Sequence, residues 1–385
     1  MKKICFCILS FIDFMIMVIL FIKLRILFYA FLFFNVVFVI IFFKLYFNIN
    51  VINVNKIINI IKTMNIRKKI SSEEYYIKKI NIETFDGSGG TTHPCIMQFK
   101  NLFNNYKYYM VHTPYDNHNV EYENPSLCVS NDTIHFIKPK NINDPLLPII
   151  KSHNPVLSYY NDNFLLFDDN KFQVWYRYTI EDKSFKEPKL FNQIYRIVST
   201  DGVNYDEPEL MIDNDGTWYL SSSIVKIDSL YYLFYFDKDL RMHCKISKNL
   251  HEWSKTKHVN TKGYSGNIWH GEVKLIDGKL YLLFLSKDYK LYFCEANIDN
   301  PFNFRVCCKL KFNYYDKCNL YGNDVPYKST FLMDDKYIYL YIPYKVNTIN
   351  LFKLKRRIKW TMTYTKLTYE NFDKYVKDKN YEKNS

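Results

Sequence analysis

Lys336-Tyr337-Ile338-Tyr339-Leu340-Tyr341-Ile342 is a short apolar run opening at a lysine and filled with aromatic and branched residues, the pattern of a buried strand. The same kind of run occurs at Tyr106–Val111, Lys171–Tyr178, Leu230–Phe236 and Lys279–Leu285. Aligned on positions 107, 171, 230, 279 and 336, the five runs are separated by 64, 59, 49 and 57 residues. A strand-rich unit recurring at a spacing of roughly 40–65 residues means a propeller or another repeat architecture. The reading is all-β, a five-bladed β-propeller preceded by a hydrophobic N-terminal segment.

Each unit opens with an inner strand, passes through the aromatic second strand and returns through a third that ends in a turn. Ser130–Phe136, Ser199–Tyr205 and Ser247–Trp253 share a serine, a turn-forming Asp or Asn, and an aromatic six residues after the serine. Asn297–Phe304 replaces this turn in the fourth unit, and strands within Ile358–Leu367 complete the fifth. Five units of about 57 residues fill Asp86–Glu370, which is 285 residues long. No glycine or proline precedes Gly87, which sets the boundary between leader and globular part.

The leader, residues 1–63, contains the uncharged 18-residue run Ile26–Phe43, long enough to span a bilayer core. It reads as a transmembrane anchor that leaves the propeller outside, or else as an extension upstream of a true start at Met64, in which case the protein is soluble. Residues 64–85 are a polar linker, a candidate outer strand that closes the ring, and residues 371–385 are a polar tail.

The formal charge of +13 is uneven. Residues 1–70 hold 10 Lys/Arg against one acid, and the remainder holds 42 basic and 38 acidic side chains. A nucleic-acid partner would need its basic stripe on the folded domain, so none is expected. The nine cysteines form no CxxC pair and no zinc-like spacing with histidine. Asp213-Asn214-Asp215-Gly216 begins like a calcium loop but lacks its later ligands, so it reads as a turn. No cofactor and no metal are expected.

The segments Thr92–Phe99, Tyr106–Tyr115, Tyr122–Asp132, His153–Tyr160, Lys171–Tyr178 and Ser199–Tyr205 resemble the five-bladed propellers of glycoside hydrolase families 43 and 32, and their uncharacterised bacterial and phage-associated relatives. The resemblance covers about residues 86–370. It implies a carbohydrate partner and a site at one end of the central tunnel. It also implies an Asp before Pro in blade one as general base, a second Asp in blade two, and a Glu opening blade three as general acid. This chain has His93 before Pro94 in the first place, Asn154 before Pro155 in the second, and no acid between Trp218 and Ile224 in the third.

Other carboxylates are therefore the candidates. Glu272, in Trp269-His270-Gly271-Glu272, is the acid inside an inner-strand opening; Glu123 precedes a blade-one strand, and Asp324 precedes blade five. A Glu123/Glu272 or Glu272/Asp324 pair about 6–9 Å apart supports inverting hydrolysis, with His93 and His270 as proton carriers. Trp269 and the tyrosine-containing loop His112–Tyr122 offer flat faces for sugar rings, whereas Trp175 and Trp253 read as core. Expected catalytic residues are Glu272 and Glu123; expected substrate-binding residues are His93, Asn154, Trp269, His270 and Asp324. Two functions follow: a glycan-directed hydrolase with a rearranged acid pair, or a catalytically silent propeller that binds carbohydrate.

Overall fold

A computed structural model describes residues 78–151, 153–187, 189–310, 325–350 and 355–368. The leader, the start of the linker, Asp324 and the tail lie outside the described residues, so the expectations placed on them are not addressed. No helix among the described residues is long and apolar enough to cross a membrane.

The described strands form five antiparallel-centred sheets, one for each aromatic run. The runs are the second strands, at Tyr106–Pro114, Lys171–Asp182, Leu230–Phe236, Lys279–Ser286 and Tyr337–Asn350. Four inner strands precede them, at Thr91–Phe103, Val156–Asp168, Leu220–Ile227 and Ile268–Ile276; blade five has two short pieces, Val325–Pro326 and Thr330–Met333. Lys78–Lys79 pairs with Thr363 and Tyr364 and forms the outer edge of blade five.

Aromatic packing between successive blades closes the ring. Phe164, Trp175 and Tyr219 belong to the core shared by blades one to three, Phe234 and Phe284 to the next, and Phe293 and Phe331 to the core between blades four and five. Blade five returns to blade one through Tyr341 and Met362 against Met110 and Cys128. The Tyr341 hydroxyl also donates to the Thr133 carbonyl across that seam (2.8 Å). Burying each side chain of this size contributes on the order of 2–3 kcal/mol, so the seams hold successive blades together. Neighbouring Cys307 and Cys308 alternate as strand residues do: Cys308 is buried, Cys307 only partly.

The repeated serine turn has one chemistry in three blades. Ser130, Ser199 and Ser247 donate through Oγ to Asp132, Asp201 and Asn249, and accept from the backbone N–H of those same residues. The third residue after each serine has positive φ: Thr133 (70°), Gly202 (74°) and Leu250 (67°). At 202 the space is tight as well, since a Cβ there would stand 3.0 Å from the Phe103 ring.

Below the tunnel opening, side chains from several blades interlock. Thr330 Oγ1 donates to Glu272 Oε2 (2.6 Å) and accepts from the Ile96 N–H (3.1 Å). Lys274 donates to the carbonyls of Ile96 and Phe331, and the Leu165 N–H reaches Cys95 Sγ (3.3 Å). These contacts form a plug joining blades one, two, four and five.

Gly271 lies between His270 and Glu272, where an added Cβ would meet Phe236 Cζ at 2.8 Å and Leu282 Cδ1 at 3.2 Å. Both rings and chains there are buried and close-packed, so neither can give way freely. Gly271→Ala should lower the unfolding free energy by about 1–3 kcal/mol, read as a shifted urea midpoint with an unchanged slope.

Candidate active site

The inner strands are irregular where they enter the ring. Register shifts fall between Thr92 and Cys95, between Asn161 and Phe164, and between Ile268 and His270. His93 (48°), Asp162 (52°) and Ser221 (48°) hold positive φ, a left-handed conformation costing about 1 kcal/mol or more in such residues. The kinks bring His93, Asp162, Ser221, His270 and Lys328, one residue from each blade, around one point.

Asp162 is the centre. Its Oδ1 lies 3.8 Å from His93 Nε2, 3.8 Å from His270 Nδ1 and 3.8 Å from Lys328 Nζ, and Ser221 Oγ donates to it at 3.4 Å. Its Oδ2 is paired with Arg177 Nη2 at 2.8 Å. Arg177 spends its other donors on Asn161 Oδ1, Asn192 Oδ1 and the Trp218 carbonyl, each at 3.1 Å. His93 Nδ1 meets Thr113 Oγ1 at 3.1 Å, His270 Nδ1 meets Ser221 Oγ at 2.7 Å, and Lys328 Nζ donates to the Asn163 carbonyl at 3.1 Å. His93, Asp162, His270 and Lys328 are all 2% exposed or less.

Protonation follows from this crowding. Burial lowers the His93 pKa well below 6.5 and that of His270 to about 3, only partly offset by Asp162, so both rings are neutral at physiological pH. Burial alone would raise the Asp162 pKa, but Arg177 and Lys328 outweigh it and hold the carboxylate ionised. Burial lowers the Lys328 pKa against the pull of Asp162. Glu123, 5% exposed, is pushed up to about 8 by burial and by the Asp162 charge, relieved partly by Arg177 and a hydrogen bond with Asn161. Its Oε2 has no hydrogen-bond partner among the described residues.

Of the residues expected from sequence, His93 and His270 converge directly, their ring centroids 5.8 Å apart. Trp269 stacks beside His270 at 5.1 Å, and Glu123 lies buried within the field of Asp162. Glu272 lies two residues deeper than His270, in the plug. Asn154 occupies an exposed turn at the outer end of its strand, eight residues before Asp162. Trp175 is fully buried core. Asp162, Arg177, Ser221, Lys328 and Tyr327 were not anticipated. The spacing does signal three of these positions: Asp162, Ser221 and Lys328, like the expected His270, each lie nine residues before the start of a second strand, at Lys171, Leu230, Tyr337 and Lys279 respectively.

One carboxylate and two neutral imidazoles, with ligand atoms all within 4.8 Å of one another, make a donor set able to hold a metal ion. A separate cavity of 980 Å³ opens at the far end of the inner strands, lined by Cys95, Glu272, Lys274 and residues beyond them, and none of the three donors lines it.

No family model matches the chain. Over 57 residues it is 35% identical to an A type blood N-acetyl-α-D-galactosamine deacetylase of Flavonifractor plautii, a stretch that is 15% of this chain and 7% of that protein. An N-acetylgalactosamine deacetylase structure from F. plautii, in complex with blood group B trisaccharide, superposes with a TM-score of 0.62 at 14% identity, covering 79% of this chain and 97% of the other. A xylan β-1,4-xylosidase of Bacillus halodurans (TM-score 0.51, 12% identity, 73% and 55% covered) and a family 32 β-fructofuranosidase of Bombyx mori (0.50, 16%, 74% and 61%) have similar folds. The resemblance to the propellers of glycoside hydrolase families 43 and 32 therefore extends to the architecture.

A carboxyl group whose folded pKa is raised from 4.5 to about 8 contributes stability below pH 4.5 that is lost as pH rises to 8. Wild type should thus lose stability relative to Glu123→Gln across that window, by on the order of a few kcal/mol. Urea unfolding of both proteins at pH 5 and pH 8.5 measures the difference; a constant gap would mean that Glu123 is ionised in the fold.

Proposed function

We propose that this protein is a glycan-directed hydrolase whose reaction centre is His93, Asp162 and His270 with Glu123, and that the bond it cleaves is the N-acyl amide of an amino sugar. The observation carrying this reading is the convergence of the three donors in the charge states that metal ligation requires, two neutral histidines and one ionised carboxylate, with ligation by His270 Nδ1 displacing its contact with Ser221 Oγ. Ligand atoms each about 2.1 Å from a shared ion stand roughly 3–4 Å from one another, which matches the 3.8 Å spacings around Asp162 Oδ1. The Thr113 contact on His93 Nδ1 leaves Nε2 turned to Asp162, as a ligating imidazole needs. Arg177 occupies only Oδ2. Lys328 faces Oδ1 as well, and burial lowers its pKa. The local identity to a deacetylase supports the same chemistry.

A divalent cation at this position supplies Lewis-acid polarisation of a carbonyl and an acidified water. The protein's own groups handle the protons. Glu123 titrates near neutral pH, so it can take a proton from water as a carboxylate and return it to the leaving amine as an acid. Trp269 and Tyr327, 5.5 Å apart, wall the site against solvent.

A second reading is supported by the opposite shifts of Glu123 and Asp162. Two neighbouring carboxyl groups, one held protonated and one ionised, also suit hydrolysis of a glycosidic bond without a cation. Within that reading, Asp162 is a better partner for Glu123 than Glu272, whose Oε2 is committed to Thr330 and Lys274.

Incubation with oligosaccharides bearing N-acetylhexosamine, with acetate and reducing ends measured separately, distinguishes the readings. Acetate release should dominate, stop with EDTA, return with Zn²⁺ or Mn²⁺, and fall at least about 100-fold in His270→Ala. EDTA-insensitive release of reducing sugar would replace amide cleavage with glycosidic cleavage. Binding without either product would leave a carbohydrate-binding propeller.

A further inference from the structure

An arc of aromatic rings beside the reaction centre has no part in the proton chemistry. It starts at Trp269, crosses to Tyr327 (5.5 Å between ring centroids), continues to Trp360 (4.9 Å) and ends at Tyr115, whose ring lies 6.2 Å from Trp360 and within 24° of parallel. Blade four contributes Trp269, blade five Tyr327 and Trp360, and the loop after the second strand of blade one contributes Tyr115. Beyond Trp269, Tyr289 stands at 5.4 Å and is 41% exposed. Trp269, Tyr327 and Tyr115 are all partly open to solvent.

We propose that this arc is a second saccharide-binding subsite, so that the substrate is an oligosaccharide of at least two rings and not a single amino sugar. The proposal rests on the glycan reading above. Pyranose rings present C–H faces with hydroxyls at their edges, and half-exposed aromatic rings with polar margins complement both features. The arc also holds an unspent donor. Trp360 is 3% exposed, and its indole N–H has no partner among the described residues. Leaving such a group unpaired costs about 1–3 kcal/mol, and a sugar hydroxyl supplies the missing acceptor. The direction of the arc is informative too. It runs from Trp269, stacked beside His270, to Tyr115, and the Glu123 charge acts on Tyr115. A sugar at the reaction centre would therefore have its neighbour lying along the blade five and blade one side.

Calorimetric titration of the whole protein with N-acetylgalactosamine, and with a trisaccharide carrying that sugar at its non-reducing end, tests the subsite. The trisaccharide should bind at least about tenfold more tightly, and Tyr115→Ala should erase that advantage while leaving monosaccharide affinity unchanged. Tyr115→Leu, which keeps apolar volume but removes the ring, should behave alike and guards against a folding defect. Equal wild-type affinities for the two sugars, or equal losses for both in the Tyr115 variants, would overturn the second subsite. If neither sugar binds, the glycan reading itself fails along with the subsite.

Discussion

A single negative charge at the end of the tunnel, on Asp162, constrains the arrangement around it. An ionised carboxylate 1% exposed is expensive unless every nearby group is arranged to receive it. Arg177 pairs with one oxygen, and His93, Ser221, His270 and Lys328 surround the other. Arg177 comes from blade two itself, and the four others from blades one, three, four and five. Arg177 in turn is fixed by Asn161, Asn192 and the backbone at Trp218. Such a network is weak evidence for added stability, since apolar packing of similar volume is often as good. It is stronger evidence for orientation, because removing any partner leaves a buried charge exposed to its neighbours' fields.

The same charge sorts the other titratable groups. Arg177 and Lys328 are close enough to Asp162 to keep it ionised, but the second carboxyl, Glu123, feels that negative charge along with its own desolvation. Two buried carboxylates cannot both ionise at this cost, so one takes the charge and the other keeps its proton. The histidines are neutral because burial and the nearby cations both disfavour an imidazolium. An ionised oxygen and a carboxyl near its titration point thus follow from one buried charge, whereas the neutral nitrogens follow from burial, against the pull of that charge.

The architecture was legible because the aromatic second strands are buried on both faces, and burial on both faces leaves an unbroken apolar run in the sequence. The turns were legible because serine and Asx side chains act within three residues of themselves. The site was only partly legible. His93 and His270 lie in the openings that sequence reasoning singled out. In blade two, Asn154-Pro155 imitates the expected motif, but it lies at the exposed outer end of a 13-residue strand, and the axis is reached only at the Asp162 kink. The shared distance of nine residues from kink to second strand was the available signal. A donor set drawn from positions 93, 162 and 270 has no local spacing to betray it, since its proximity comes from ring closure.

The alternation of a strand explains why His270 and Glu272, so close in sequence, have different surroundings. Residues two apart share a face, so both side chains point toward the axis, but one level apart. His270 meets Asp162 and Ser221 at the opening, whereas Glu272 meets Thr330 and Lys274 in the plug. Lys328 and Thr330 divide in the same way on blade five. The five openings thus converge as a ring of polar groups, and the next level ties strands together. The 980 Å³ cavity begins beyond that level and shares no donor with the ring. The geometry of charge points instead to the crowded opening, where, among the described residues, a carboxylate, two neutral imidazoles and a protonated acid act on one another.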